Sequence, residues 1–520
     1  MDFISTSTEK ILLTVGCLAA YITVVAFYRL YFSPLAVFPG PKIAAITSLY
    51  QFYFDVIRGG EYIWQVEEMH KRYGPIVRIR PDVLHMNDPD YIDQVFGTAG
   101  KRRDKYKLTT NGLGTLGAAI GTIPHDLHRS RRAPMNPYFS KQSIQRLEPI
   151  LQRTFKKVLG RLAQQAESGE PIGMHLLYAA TTSDIISDYC FGQSSNNLDR
   201  EDLNAPYFDE FAEGVKAYHQ MSTISWLPLL IQALPLSVAM FLFPMIKGVV
   251  KEIKELSVVI EEVKIATAEK TEGKMASTVF HGLLSTANLP ESEKATPRLV
   301  EEARILLAAG TDTTANTLAA ITYHLLANPD ILKKLKDELV TAIPDVRSMP
   351  ELSQIDNLPY LTAVVQEGLR LHPSVSFRQD RVAPDEDLFY DDVKTGKKYI
   401  IPKGTPVGMT APLLSRNEVL YPSPMTFDPD RFLKNPRLDR YQLSFSRGSR
   451  RCLGINLAYS ELYLILAGIF RKYDLFDGSG KQTNSTLELF ETGRDDVDIK
   501  YDLLIPFPKK GSLGVRLKVR

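Results

Sequence analysis

The segment Phe445-Ser446-Arg447-Gly448-Ser449-Arg450-Arg451-Cys452-Leu453-Gly454 holds the residue types best suited to chemistry. A cysteine that opens a helix, flanked by Arg450 and Arg451, keeps a thiolate well, because the helix dipole and the nearby cations favour negative charge. A thiolate is a metal ligand, and each fixed position around Cys452 has a task if a metal binds there. Gly448 and Gly454 lack a Cβ, so backbone can approach a large planar ligand and turn N–H groups toward the sulfur. Phe445 would shield the thiolate from water. Arg450 presents a fork to a carboxylate. The plainer reading is a buried cysteine serving as a small hydrophobe. It leaves the two glycines, the aromatic and the arginine without a reason.

Such a site needs elements to hold it. A last long helix is expected from about Ile455 to Lys472. Pro359 opens an earlier helix that must stop before His372-Pro373. On it, Glu367 and Arg370 stand at i, i+3, which by itself is a helix-surface pair worth a few tenths of a kcal/mol. From about 140 to 345 helical periodicity dominates. One helix there is unusually long, with Pro297 in its first turn and Asn328-Pro329 as its stop. About 31 residues at ~1.5 Å each would cross the molecule, roughly 45 Å. Strand-like pieces run from Ile76 to Arg80 and from Val83 to Met86, and the tail from Asp498 to Val519 reads as strands around a turn between Pro506 and Gly511. The expected class is mainly α with a smaller β part.

Composition narrows the function classes. A hydrophobic fraction of 44% and a charged fraction of 23% are ordinary globular values, which excludes disorder. Lys+Arg 62 against Asp+Glu 60 leaves +2, so overall charge gives no reason to expect a nucleic-acid partner. The 520 residues contain no linker, repeat or low-complexity tract, which favours one large catalytic domain over several. Three cysteines, none in a CxxC pair, exclude a disulfide scaffold and a clustered zinc site.

Ile11 to Tyr28 is uncharged and, with Leu30 to Phe32, just long enough to span a bilayer. A cleaved signal peptide would want a basic start and a shorter apolar core. Here Asp2, Glu9 and Lys10 precede the run, and Tyr28, Tyr31 and Phe32 close it like an interfacial belt, so an anchor is expected. Arg29 and Lys42 follow the span, which leaves the body in the cytosol by the positive-inside rule. The chain then divides into an anchor (1–32), a proline-rich hinge around Phe38-Pro39-Gly40-Pro41 (33–45) and a catalytic domain (46–520). A second uncharged stretch, Ile224 to Ile246, is interrupted by Pro228, Pro235 and Pro244. It fits a loop dipping into the membrane face, with plain core as the alternative.

The cysteine segment resembles the signature FxxGxRxCxG of the cytochrome P-450 superfamily of haem-thiolate monooxygenases, and every fixed position is met. The resemblance implies the cytochrome P-450 fold with an N-terminal transmembrane helix and heme b (iron protoporphyrin IX), with Cys452 as axial ligand. Phe445, Gly448 and Gly454 would line its seat and Arg450 would meet a propionate. It also implies an oxygen-activation motif on the long helix, met by Ala309-Gly310-Thr311-Asp312-Thr313-Thr314. There an acid, Asp312, followed by a hydroxyl, Thr313, would relay protons. Small Ala309 and Gly310 would leave room for dioxygen, and Thr313 would bond the Ala309 carbonyl. Glu367 and Arg370 match the ExxR pair, completed by Arg431 in a structural charge network. Arg381 and Arg132 match propionate clamps. The tryptophan expected four residues before Arg132 is His128, which would either donate to the same propionate or face solvent.

Two patterns mislead. Gly112-Leu113-Gly114-Thr115-Leu116-Gly117 spells a dinucleotide fingerprint, but Lys101 to Thr110 before it is basic and polar rather than an apolar strand. A loop over the haem pocket is the better reading. The run Lys101, Arg102, Arg103, Lys105, Lys107 reads as a solvated or partner-docking face. The function implied is a membrane-anchored monomeric monooxygenase of the endoplasmic reticulum membrane, facing the cytosol. It would draw NADPH electrons from a separate cytochrome reductase, with cytochrome b5 as a second possible donor. Asn484-Ser485-Thr486 is a sequon that a cytosolic body leaves unused. Alternatives are a haem-thiolate isomerase or dehydratase working without external electrons, and a non-catalytic haem sensor; the intact Asp312-Thr313 pair argues against both. The substrate would be an apolar secondary metabolite. Resemblance to fungal trichodiene-type oxygenases favours a terpenoid over polyketide or alkaloid scaffolds.

Overall fold

The computed structural model describes residues 2–98, 100–244, 246–269, 278–287, 289–393, 395–479 and 481–520. Helices dominate, and three of them frame the interior. The long helix runs Thr296–Ala327, with Pro297 in its first turn and Asn328 beyond its end, as the sequence anticipates. Against it packs Met174–Phe191, here the partner helix, which is buried on nearly every side. The cysteine helix, Ile455–Lys472, closes the third side. Leu177, Ile186, Leu318, Ile321, Leu464 and Phe470 belong to the single apolar core they share.

The β part is small and does one positional job. A five-stranded sheet runs in the order Ile76–Arg78, Leu84–Met86, Pro406–Gly408, Arg381–Val382, Asp104–Lys105. Its last pair is antiparallel and sets Lys105 directly opposite Arg381. A four-stranded sheet joins Ile172–Gly173, Arg516–Val519, Thr486–Leu489 and Asp474–Leu475. The tail forms strands with a turn at Lys510-Gly511, as expected, but adds an earlier reversal. Tyr501–Leu503 pairs with Ile505–Phe507, so the chain reverses at Leu504, whose φ is +84°, and Pro506 lies inside a strand. A two-stranded ribbon has free edges, which is where a residue without an N–H is tolerated.

The N-terminal helix, Asp2–Tyr31, contains a candidate span, Thr8–Tyr31, whose most apolar 18 residues have mean hydropathy 2.2 and no buried part. Its C-terminal end is gripped by the body: Arg78 donates to the Arg29 carbonyl, 2.8 Å, and Arg29 donates to the Ile46 carbonyl, 2.6 Å. The stretch around 224–246 forms two short helices, Leu227–Ala233 and Leu236–Leu242, broken at Pro235; Met245 lies outside the described residues. Trp226, Leu229, Leu236, Phe241 and Leu242 are all exposed there, so the plain-core alternative fails.

Two buried histidine pairs couple the fold to pH. His70 donates through Nδ1 to the Gly74 carbonyl and faces His85 at 2.7 Å, and His85 reaches the Thr410 hydroxyl at 2.7 Å. His324, stacked on Phe427, faces His372 at 2.7 Å. Burial holds all four below the ordinary histidine range, His70 at about 4 and His324 at about 3. The unfolded chain therefore takes up protons below about pH 6.5 that the folded chain refuses, and stability falls as pH drops. By pH 5 each of His70 and His324 removes about 2 kcal/mol. Melting temperature should fall steadily from pH 7 to pH 5; a flat profile refutes the assignment.

Candidate active site

A cavity of about 290 Å³ lies between the long helix and the cysteine segment. Cys452 sits deep in the molecule, yet its surface opens onto this cavity. Its N–H donates to the Phe445 carbonyl at 2.8 Å, which folds the segment back on itself. Burial pushes the thiol upward, while the Gly454 N–H, Arg132 and Arg451 pull it down. Phe445 lines the cavity, its ring 5.3 Å from that of Tyr459. Gly454 also lines it, and a Cβ there would meet no protein atom. Gly448 differs from expectation and does not face the cavity. Its φ is +69°, and a Cβ would come within 2.2 Å of the Phe96 carbonyl oxygen, so this glycine serves the turn and its close backbone neighbour.

The basic residues converge at one end. Arg132, Arg381, Arg450 and Lys105 all line the cavity. Arg450 donates to the carbonyls of Arg103, Thr122 and Ile123 at 3.1, 2.7 and 2.6 Å. Arg132 reaches the Arg451 carbonyl at 2.5 Å and the Cys452 carbonyl at 3.4 Å, so it braces the cysteine loop. Arg381 bonds Ser446 at 3.1 Å and its Nε has no partner. Burial brings Arg381 down to about 10 and Arg450 to about 9, and holds Lys105 well below the lysine range. Cations set opposite each other across strands are unfavourable unless an anion joins them. Lys105 has no local motif; only its sheet register with Arg381 marks it. His128 is buried and lines the cavity with an unpartnered Nδ1, which removes the solvent-facing alternative.

On the long helix, Thr313 lines the cavity and donates to the Ala309 carbonyl at 2.8 Å, as expected. Asp312 does not line it. The carboxylate turns toward the partner helix, accepting from His175 at 3.0 Å and from Asn316 at 2.7 Å. Ala309 and Gly310 both line the cavity, but a Cβ on Gly310 would strike Ile186 at 2.8 Å, so its smallness also serves helix contact. Glu461 was not anticipated. It lines the cavity from the cysteine helix, burial pushes its carboxyl well above the ordinary range, and it bonds Thr314 and leaves Oε1 unpartnered. Its spacing from Leu457 and Ala458, one helical turn, marked that face.

Glu367 stands outside the cavity lining, as a structural role requires. Arg370 grips both its oxygens at 2.7 and 2.8 Å, and Arg431 adds a bond at 3.1 Å. The Asp428 N–H completes the set at 2.8 Å. Both arginines also hold carbonyls, Ser415 and Pro422 among them, and the cluster is buried. In the basic run at 101–107, Lys101, Arg102 and Lys107 are exposed, as a solvated face requires, but most of the run is paired. Lys101 and Arg103 pair with Glu386, Arg102 with Asp126 and Asp385, and Lys105 points inward. The glycine-rich loop follows a short helix, Lys107–Asn111, and puts Leu113 into the cavity wall, so no dinucleotide turn exists there.

A thiol, an apolar chamber and an end rich in cations are the donor set for a flat metal-centred ring with acidic edges. The sequence model of the cytochrome P-450 family matches residues 40–500. This chain belongs to the cytochrome P-450 family. Similar fungal proteins span nearly its whole length. Cytochrome P-450 monooxygenase tpcC of Cochliobolus heterostrophus is 43% identical over 96% of this chain and 94% of its own. The tryptophan 6-hydroxylase fscE of Fusarium equiseti is 36% identical over 95% and 94%. Cytochrome P-450 monooxygenase TRI4 of Trichoderma arundinaceum is 34% identical over 96% and 95%. This cytochrome P-450 is a monooxygenase of the fungal secondary-metabolite kind. Its family works with haem held by a cysteine thiolate, an electron donor and a small-molecule substrate.

Proposed function

We propose that this cytochrome P-450 is membrane-bound and inserts one oxygen atom into an apolar secondary metabolite, a terpenoid, with NADPH electrons delivered by a separate reductase. The observation that carries this reading is the shared chamber: the Cys452 thiol and the Thr313 hydroxyl open onto one cavity. Haem bound there supplies dioxygen activation and the thiolate's electron push. Cys452 is its ligand. Arg132 holds the cysteine loop in place, while Arg381, Arg450 and Lys105, with His128, offer charge and donors to its acidic edge. Thr313 holds a proton at the cavity wall. Leu113, Ile120, Ile305, Leu306, Val375 and Phe377 exclude water and favour a hydrocarbon.

The exposed apolar N-terminal helix supports an anchor (1–32) and hinge (33–45) ahead of the catalytic domain, and the row from Trp226 to Leu242 supports a second membrane contact. Arg29 and Lys42 favour a cytosolic face at the endoplasmic reticulum. The test is turnover under ¹⁸O₂ with NADPH and a cytochrome reductase, offered sesquiterpene hydrocarbons, polyketides and tryptophan. The expected product is a terpene carrying one ¹⁸O per oxidation. Oxidation of tryptophan or a polyketide alone would replace the substrate class, and product without ¹⁸O would end the oxygenase reading.

A further inference from the structure

The acid of the long helix points the wrong way for an acid that acts in the cavity by itself. Thr313 lines the cavity and Asp312 does not. Neighbouring helical residues leave the axis about 100° apart, so the two side chains serve different faces. Both Asp312 oxygens are engaged on the far face, Oδ1 by His175 Nε2 at 3.0 Å and Oδ2 by Asn316 Nδ2 at 2.7 Å. Asp312 is nearly buried, but the His175 side chain is 39% exposed and does not line the cavity. His175 is the second residue of the partner helix, directly after the edge strand Ile172–Gly173.

We infer that His175 is the solvent-side entry of a proton path that runs through Asp312 to the cavity face of the long helix. The inference rests on the monooxygenase reading and adds a residue 137 positions from Asp312 in the chain. The step is a proton transfer only. His175 loses its Nε2 proton to Asp312 Oδ1, and a solvent proton restores the imidazolium. Turning the carboxyl toward Thr313 delivers the proton to the other face. Burial opposes charge on His175, but the bond to Asp312 and its field outweigh this and raise the imidazole above its ordinary range. Among the described residues Asp312 is the one charged group that acts on it there; Asn316 is neutral.

The test uses the haem-loaded full chain with a cytochrome reductase, NADPH and one fixed sesquiterpene hydrocarbon as probe. His175→Gln keeps a donor for Asp312 but cannot carry a proton. It should keep the red-shifted carbon-monoxide band while product formation falls about tenfold and the solvent deuterium isotope effect rises. Wild-type turnover should decline as pH rises through the histidine's raised range, and the variant should lose that limb. In an Asp312→Asn background the His175→Gln change should cost nothing further, because both lie on one path. Equal rates and pH profiles with the band intact overturn the His175 path alone, as do independent, multiplying losses in the double variant. A wild type without the band overturns the haem-thiolate reading and this path with it.

Discussion

Cys452→Ala will fold yet show no strongly red-shifted Soret band when reduced under carbon monoxide, whereas the wild type shows one. Such a band reports a thiolate opposite the bound gas, and no other thiol can stand in. Cys17 lies in the N-terminal helix, and Cys190 is buried on the partner helix, away from the cavity lining. Residual haem in the variant would give an ordinary spectrum without the thiolate's red shift. The substitution removes one heavy atom, the sulfur, from a surface that already opens onto the cavity, so stability without haem should change little. Cys452→Ala retaining the red-shifted band would remove Cys452 as the ligand.

Glu367→Gln will cost about 3–5 kcal/mol, the usual penalty for breaking a buried ion pair from one side. Arg370 and Arg431 both lean on this carboxylate, and the Asp428 N–H shares Oε1 with Arg431. The amide loses the charge that two buried guanidiniums require and turns an N–H toward them. Against a total stability of about 5–15 kcal/mol, the loss should appear as poor soluble yield, little bound haem and a melting temperature several degrees lower. A variant melting with the wild type would show that the carbonyls of Ser415, Pro422 and Thr426 suffice to hold both arginines.

The parts legible in the sequence were those with local causes. Proline marks both ends of the long helix, and the cysteine segment meets every fixed position of the family signature. What stayed hidden depends on which element lies opposite. Asp312 follows the helical pattern as well facing in as facing out, and only the partner helix, carrying His175, decides it. The partners of the basic run at 101–107 stay hidden because Asp385 and Glu386 are some 280 positions away. Gly448 was read for the ligand it would admit, whereas its neighbour is the carbonyl of Phe96. At Leu504 a positive φ in a bulky residue carries an earlier reversal, ahead of the expected turn.

The cavity has two unlike kinds of wall, and they differ in how freely they can change. One kind is built from Cys452, the arginines and, across the cavity from the sulfur, Gly310, each locked to backbone carbonyls, sheet register or a neighbouring helix. In the other, Leu113, Ile120, Val375 and Phe377 come from loops and belong to none of the packed cores. Replacing one of the four reshapes the chamber without disturbing the helices that hold the chemistry. Descendants of this scaffold can exchange substrates by single steps at those loops and remain oxygenases throughout. A laboratory library confined to them should yield mostly folded, haem-binding proteins.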